Sequence, residues 1–238
     1  MAVIQIDNYD NVRQPDHEIA VVGKQYVTSN NTSLCIKFEA LTVVDHEGNE
    51  QYKFLQKGDG VLICNLDGTP ILNCYAKQGT YRNMYVYKGE GETDQLVHIE
   101  TSKVISKDIQ SYLINILNIA RNESEQLEMH YNKSNQCYYI YSNKDKANES
   151  LIGIIKKEIT RRLEKEYKIE IAPMVDRMLL LSIGGVIVRL DFKKSSKNEV
   201  HQEDEKANCF GACCFIAIAC IGIAVMFFIF IGMSMKGD

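Results

Sequence analysis

From Cys209 to Met235 the chain reads CFGACCFIAIACIGIAVMFFIFIGMSM, 27 residues without a charge. As a helix at about 1.5 Å per residue this run is roughly 40 Å long, enough to cross a hydrocarbon core of about 30 Å with tilt to spare. A core helix of that length would need a polar face, and a secretory signal would sit at the other end. The run predicts one transmembrane helix over 209–235. Only Lys236, Gly237 and Asp238 follow it, so insertion waits until synthesis is complete and the preceding residues fold in the cytosol. Lys193, Lys194, Lys197 and Lys206 precede the run and Lys236 alone follows it, a bias that keeps the N-terminal side cytoplasmic. The expectation is a tail-anchored, single-pass membrane protein. A long, Phe-rich span leans toward the thicker plasma membrane over endomembranes.

Orientation governs the meaning of other motifs. Asn30, Asn31, Asn122, Asn132 and Asn148 each open an N-x-[ST] sequence, but in the cytosol these are chance matches in an Asn-rich chain. Cys35, Cys64, Cys74 and Cys137 lack close spacing and are expected to stay reduced, as small core residues. Cys209, Cys213 and Cys214 lie at the cytoplasmic mouth of the span, where thiols are candidates for acylation. Cys220, a turn or two deeper, reads as packing.

Residues 1 to about 192 suit one domain with a substantial core. Without the linker and tail, 22 basic residues face 26 acidic ones. That balance argues against nucleic acid and against long-range attraction to an anionic leaflet. Short apolar segments alternate with turn clusters. Leu34–Val44 and Gln51–Leu55 flank 45–49; Val61–Cys64 and Ile71–Ala76 flank 65–70; Met84–Lys88 and Leu96–Glu100 flank 89–94. Ser111–Ile119, Gln126–Tyr131, Cys137–Ser142 and Leu151–Lys156 follow. Regular turn signals of this kind predict an antiparallel sandwich or barrel. Met178–Val188 breaks the pattern with eleven residues, none charged and none alternating. Gly184-Gly185 there fits the turn of a buried hairpin, or Asp176 caps a helix that is apolar all round. Local pattern leaves both open.

Several segments in order resemble the LURP-one-related family. They are Val21-Val22-Gly23-Lys24-Gln25-Tyr26, the strand Thr42–Asp45 with Tyr52-Lys53-Phe54, the hairpin Val61–Ile71, Tyr85–Gly89, and Ile169–Asp176 before an apolar run. The resemblance covers residues 20 to 192. It implies a tubby-like fold, shared with phospholipid scramblases: a mainly β, closed antiparallel barrel of twelve strands around a central hydrophobic helix at about 176–190. The departures are the absence of tryptophan, Arg177-Met178 in place of an aromatic pair, and the added span. The implied organisation is an N-terminal extension over 1–19, the barrel over 20–192, a polar linker over 193–208 and the transmembrane helix over 209–235.

No nucleophile, triad or phosphate loop stands out, so the expectation is no enzyme, no cofactor and no metal. His17, His46, His98, His130 and His201 lack metal-ligand spacing. The glycine pairs Gly58/Gly60 and Gly89/Gly91 sit in acidic turns, where phosphate is repelled. Glu199, Glu203, Asp204 and Glu205 read as solvated linker carboxylates. For anionic lipid headgroups such as phosphoinositides, the candidate residues are Lys156, Lys157, Arg161 and Arg162, by analogy with tubby domains. The stretch 151–170 also admits a surface helix with mixed charge. A linker of about 17 residues reaches at most roughly 55 Å, so the domain meets headgroups at high effective concentration. The sequence therefore predicts a barrel that binds lipid headgroups or a protein at a membrane. The alternatives are scramblase-like lipid transport between leaflets and an adaptor that engages proteins only.

Overall fold

The computed structural model describes residues 11–58, 60–76 and 83–191. Within them a short 3-10 turn (Lys24–Tyr26) precedes β1 (Thr32–Lys37), β2 (Thr42–Asp45), β3 (Glu50–Lys57), β4 (Gly60–Cys64), β5 (Pro70–Ala76) and β6 (Asn83–Lys88). Then come β7 (Gln95–Val104), β8 (Ile109–Asn118), β9 (Glu123–Asn132), β10 (Cys137–Ser142), β11 (Ser150–Ile159) and β12 (Lys165–Ile171). A helix, α1, occupies 177–191. Each strand pairs antiparallel with the next, and β1 pairs with β12 through Leu34↔Ile169 and Ile36↔Tyr167. The sheet is a closed twelve-strand barrel, which leaves no unpaired edge.

Alternation puts one side chain in two inside. Ile36, Phe54, Ile63, Cys74, Val86, Ile99, Ile114, Met129, Ile140, Ile155 and Ile169 are all buried. A barrel this wide needs a filler, and α1 supplies it: Met178 to Leu181, Ile183 and Val186 to Val188 are buried. The helix reading of the Gly184-Gly185 segment is the one realised. A helix enclosed on every side should be apolar on every side. The glycines serve close approach instead of a turn. A Cβ on Gly184 would lie 2.9 Å from Ile36 Cδ1, and one on Gly185 would lie 3.2 Å from Cys74 Sγ.

Some local readings are corrected. Leu34–Val44, read as one strand, is β1 and β2 joined by a reversal at 38–41 with Leu41 at φ 54°. That reversal contains no Gly, Asn or Pro, so it leaves no turn signature. Residues 151–170 form β11 and β12, not a helix, because Tyr167, Ile169 and Ile171 complete the barrel wall by pairing with β1.

The chain before β1 packs as well. Ile19 to Val21 are buried, and Ile19 N donates to Met174 O at 2.9 Å. Among the described residues no helix is long and apolar enough to cross a membrane. The predicted span 209–235, the linker 193–208, Cys209, Cys213, Cys214 and Cys220, and the carboxylates 199–205 lie outside the described residues.

Candidate functional site

An up-and-down barrel sorts its turns onto two mouths, and α1 tells them apart. The helix starts at the mouth bearing the β2–β3, β4–β5, β6–β7, β8–β9 and β10–β11 turns, the entry mouth. It ends at the opposite, exit mouth, where Arg189 Nη2 donates to Gly58 O at 3.2 Å. The chain therefore leaves the barrel at the exit mouth.

Asp176 defines the entry mouth. Its carboxylate is fully buried; Oδ1 accepts from Met178 N at 2.9 Å and caps α1. Oδ2 accepts from Val21 N at 3.0 Å, Val22 N at 2.7 Å and Gly23 N at 3.3 Å. The Val21-Val22-Gly23 motif is thus a strap held to the start of the central helix. A second anchor lies next to it. Buried Asn118 accepts from Ala20 N at 3.3 Å and donates to Glu18 O and Glu125 Oε2, both at 2.9 Å. His17 bridges Asp16 Oδ1 (2.6 Å) and Glu125 Oε2 (3.0 Å). Burial alone would lower the His17 pKa, but its hydrogen bonds to Glu125 and Asp16 outweigh that and raise it. Hydrogen bonds from Asn148 and His17 hold Asp16 below the usual carboxylate range. A cleft of about 360 Å³ opens here, lined by His17, Arg121, Glu125, Asn143, Lys144 and other polar side chains. Most of its charges are already paired, His17 with Glu125 at 3.0 Å and Arg121 with Glu123 within the lining, and Lys144 with neighbouring Glu149 at 2.9 Å.

The exit mouth carries the cations singled out in the sequence, and the strand alternation divides them. Lys156 stands on the outer wall. There Glu158 accepts from Lys156 at 2.9 Å and from Lys168 at 2.7 Å, and the Lys168 and Lys156 hydrogen bonds depress the Glu158 pKa. Lys37 and Glu166 continue this ion-pair ladder at 2.6 Å. Lys157, one residue on, faces the opposite way, onto the inner lip, 5.9 Å from the Tyr167 ring centroid. Arg161 and Arg162 are exposed in the β11–β12 turn at 160–164. Lys157, Arg161 and Arg162 share the exit mouth; Lys156 belongs to the wall.

Sequence reasoning missed what accompanies them. Tyr131 and Tyr138 are cross-strand partners with rings stacked at 4.3 Å. They are two residues along from the buried pair Met129 and Ile140, so they line the inner lip. Tyr112 pairs with Met129 and joins them, its hydroxyl pKa raised by burial. Phe38 and Tyr167 continue the ring with centroids 6.1 Å apart, and Lys165 Nζ lies 4.9 Å over Phe38. The signal was an aromatic toward the exit end of β8, β9, β10 and β12 and another just after β1, legible only once strand direction is known. Charge differs between the mouths. Among described turn residues, the exit mouth has Lys107, Lys133, Arg161 and Arg162 against Glu39, Asp108 and Glu164. The entry mouth has Arg121, Lys144 and Lys146 against seven carboxylates, Glu47, Asp67, Glu90, Glu92, Asp94, Asp145 and Glu149.

The four cysteines among the described residues are chemically quiet. Cys64, Cys74 and Cys137 are buried as expected, whereas Cys35 is half-buried on the outer wall, its thiol pushed up to about 11 by burial. Among the described residues no three His, Cys, Asp or Glu side chains gather as metal ligands.

Comparison with known proteins gives one match. A family model described as LURP-one-related covers residues 27–187, which takes in all twelve strands and most of α1. No curated protein and no solved structure matches the chain.

Proposed function

The chain belongs to the LURP-one-related family, and on that premise we propose that it is a non-enzymatic binding module, tethered by residues 209–235 to a membrane whose anionic headgroups it engages. The observation that carries this reading is the direction of α1. The helix delivers the chain out of the mouth that also presents Arg161, Arg162 and Lys157. The last described residues of α1 and those cations thus share one mouth of the barrel. Arginine suits phosphate because its planar fork donates two parallel hydrogen bonds.

The transport reading draws no support from the barrel, whose interior is filled by α1 and gives a headgroup no polar path. The adaptor reading shares the tether and differs in ligand. Calorimetric titration of short-chain phosphoinositide and phosphatidylserine into the full-length protein in neutral micelles decides between the two. Saturable heat that vanishes in R161A/R162A supports headgroup binding. No heat from the unmodified protein refutes it and leaves the adaptor.

A further inference from the structure

We infer that the exit mouth is a docking face for the surface of an anionic bilayer, with Leu163 at the tip of the β11–β12 turn inserted below the headgroups. The inference rests on the membrane reading above and specifies which atoms touch lipid.

The most exposed apolar side chains among the described residues stand at one mouth. Leu163 is 82% exposed, Val104 68% and Ile159 60%, the three highest values among the large apolar residues described, and all three sit at the exit mouth. Single exposed apolar residues are ordinary. That the three most exposed all stand on one of the two mouths makes that mouth the candidate contact surface.

The conformation of Leu163 adds an independent observation. It lies at φ 64°, in the left-handed region that favours glycine. The turn imposes this: Leu163 N donates to Thr160 O and Thr160 N to Glu164 O, each at 2.9 Å. Thr160 Oγ1 also accepts from Arg162 N and Glu164 N. A leucine held in a strained backbone position, with no packing in its own barrel to compensate, points to a use outside the barrel. Arg161 and Arg162 precede it directly, so an inserted leucine places two guanidinium groups at the level of the phosphates.

The occupant follows from charge, aromatic content and chain path. The exit mouth is the less acidic of the two, so a barrel that is acidic overall approaches an anionic surface exit mouth first. Tyr112, Tyr131 and Tyr138 line its lip, and tyrosine suits a boundary where one end of the ring is dry and the other wet. The uncharged run 209–235 follows α1, which ends at this mouth.

The chain contains no tryptophan, so one introduced indole reports one position. L163W, V104W and L66W, each in the full-length protein, are reconstituted into phosphatidylcholine vesicles with phosphatidylserine, with and without acyl-brominated lipid. Leu66, 46% exposed in the β4–β5 turn, is the entry-mouth control. Docking predicts blue-shifted emission, quenched by brominated lipid, for L163W and to a lesser degree for V104W, with neither change for L66W. Protein that floats with vesicles but leaves the L163W and V104W indoles unquenched overturns the docking and spares the membrane reading. Equal quenching of L66W and L163W also overturns it, as does a blue shift that persists in detergent without bromine quenching, the sign of a protein contact. Failure to float in all variants removes the membrane reading and the docking together.

Discussion

Asp176 Oδ2 accepts the Val22 backbone N–H at 2.7 Å, joining residues 154 positions apart in the chain. The same carboxylate caps α1 through Met178 N. One fully buried side chain thus holds both the strap and the start of the central helix. A buried carboxylate is tolerable only where several N–H donors replace water, and here four do.

Removing it should be costly. D176A loses a cap and orphans buried N–H groups, a destabilisation of about 3–5 kcal/mol. D176N keeps one acceptor oxygen and should fall between the two. Urea unfolding followed by circular dichroism measures both, and an unchanged midpoint for D176A would refute the clamp.

A second weak point is the contact of β11 with α1. A Cβ on Gly153 would overlap the Leu180 side chain. G153A should therefore cost about 1–3 kcal/mol through overpacking. The two sites should couple, so that L180A costs less in the G153A background than alone. Additive effects would mean that the two do not touch.

Strain at Leu163 makes an opposite prediction. Because the side chain is 82% exposed and the backbone left-handed, L163G should stabilise the barrel by about 0.5–1 kcal/mol. It should also weaken contact with anionic vesicles, seen as faster amide exchange over 160–164 in the reconstituted protein. Loss of stability in L163G would show that the leucine supports the fold.

The strap should respond to pH. The His17 pKa lies above its ordinary value of 6.5, so its stabilising contribution is complete below that value and is lost as pH rises through the raised one. The Asp16 pKa lies below its ordinary value of 3.8, so its contribution is present above that value and is lost as pH falls through the depressed one. Attachment of residues 16–23 should be firmest between those limits. Amide exchange at Ala20, corrected for intrinsic rate, should quicken as pH rises through the raised His17 pKa in the unmodified protein and lose that dependence in H17A. An unchanged profile in H17A would exclude the histidine.

The cations on the wall and lip should behave differently. Lys156 is already satisfied by Glu158 at 2.9 Å, so K156A should leave phosphoinositide binding within about twofold, the scale of an exposed ion pair. R161A/R162A should remove it. Equal losses in the two variants would place the headgroup on the outer wall.

Much of this molecule could be read along the chain, because period-two alternation and turn chemistry are local properties. The turns at 45–49, 65–69 and 89–94 announce themselves through Gly, Asn and Asp, and the apolar run after Asp176 announces an enclosed element. The reversal at 38–41 did not, since the left-handed residue there is Leu41, which carries no turn preference. Resemblance, not local pattern, selected the helix over the hairpin at Gly184-Gly185.

The amino-acid sequence by itself determined the strands, the oily central segment and the long uncharged run, since each is written in neighbouring residues. Only tertiary structure decided which side chains share a mouth. Strand direction sent Lys156 to the wall and Lys157 to the lip, and barrel closure brought Phe38 beside Tyr167 and Val22 onto Asp176. Those relationships depend on pairings between distant segments, and no local preference encodes a partner more than a hundred residues away.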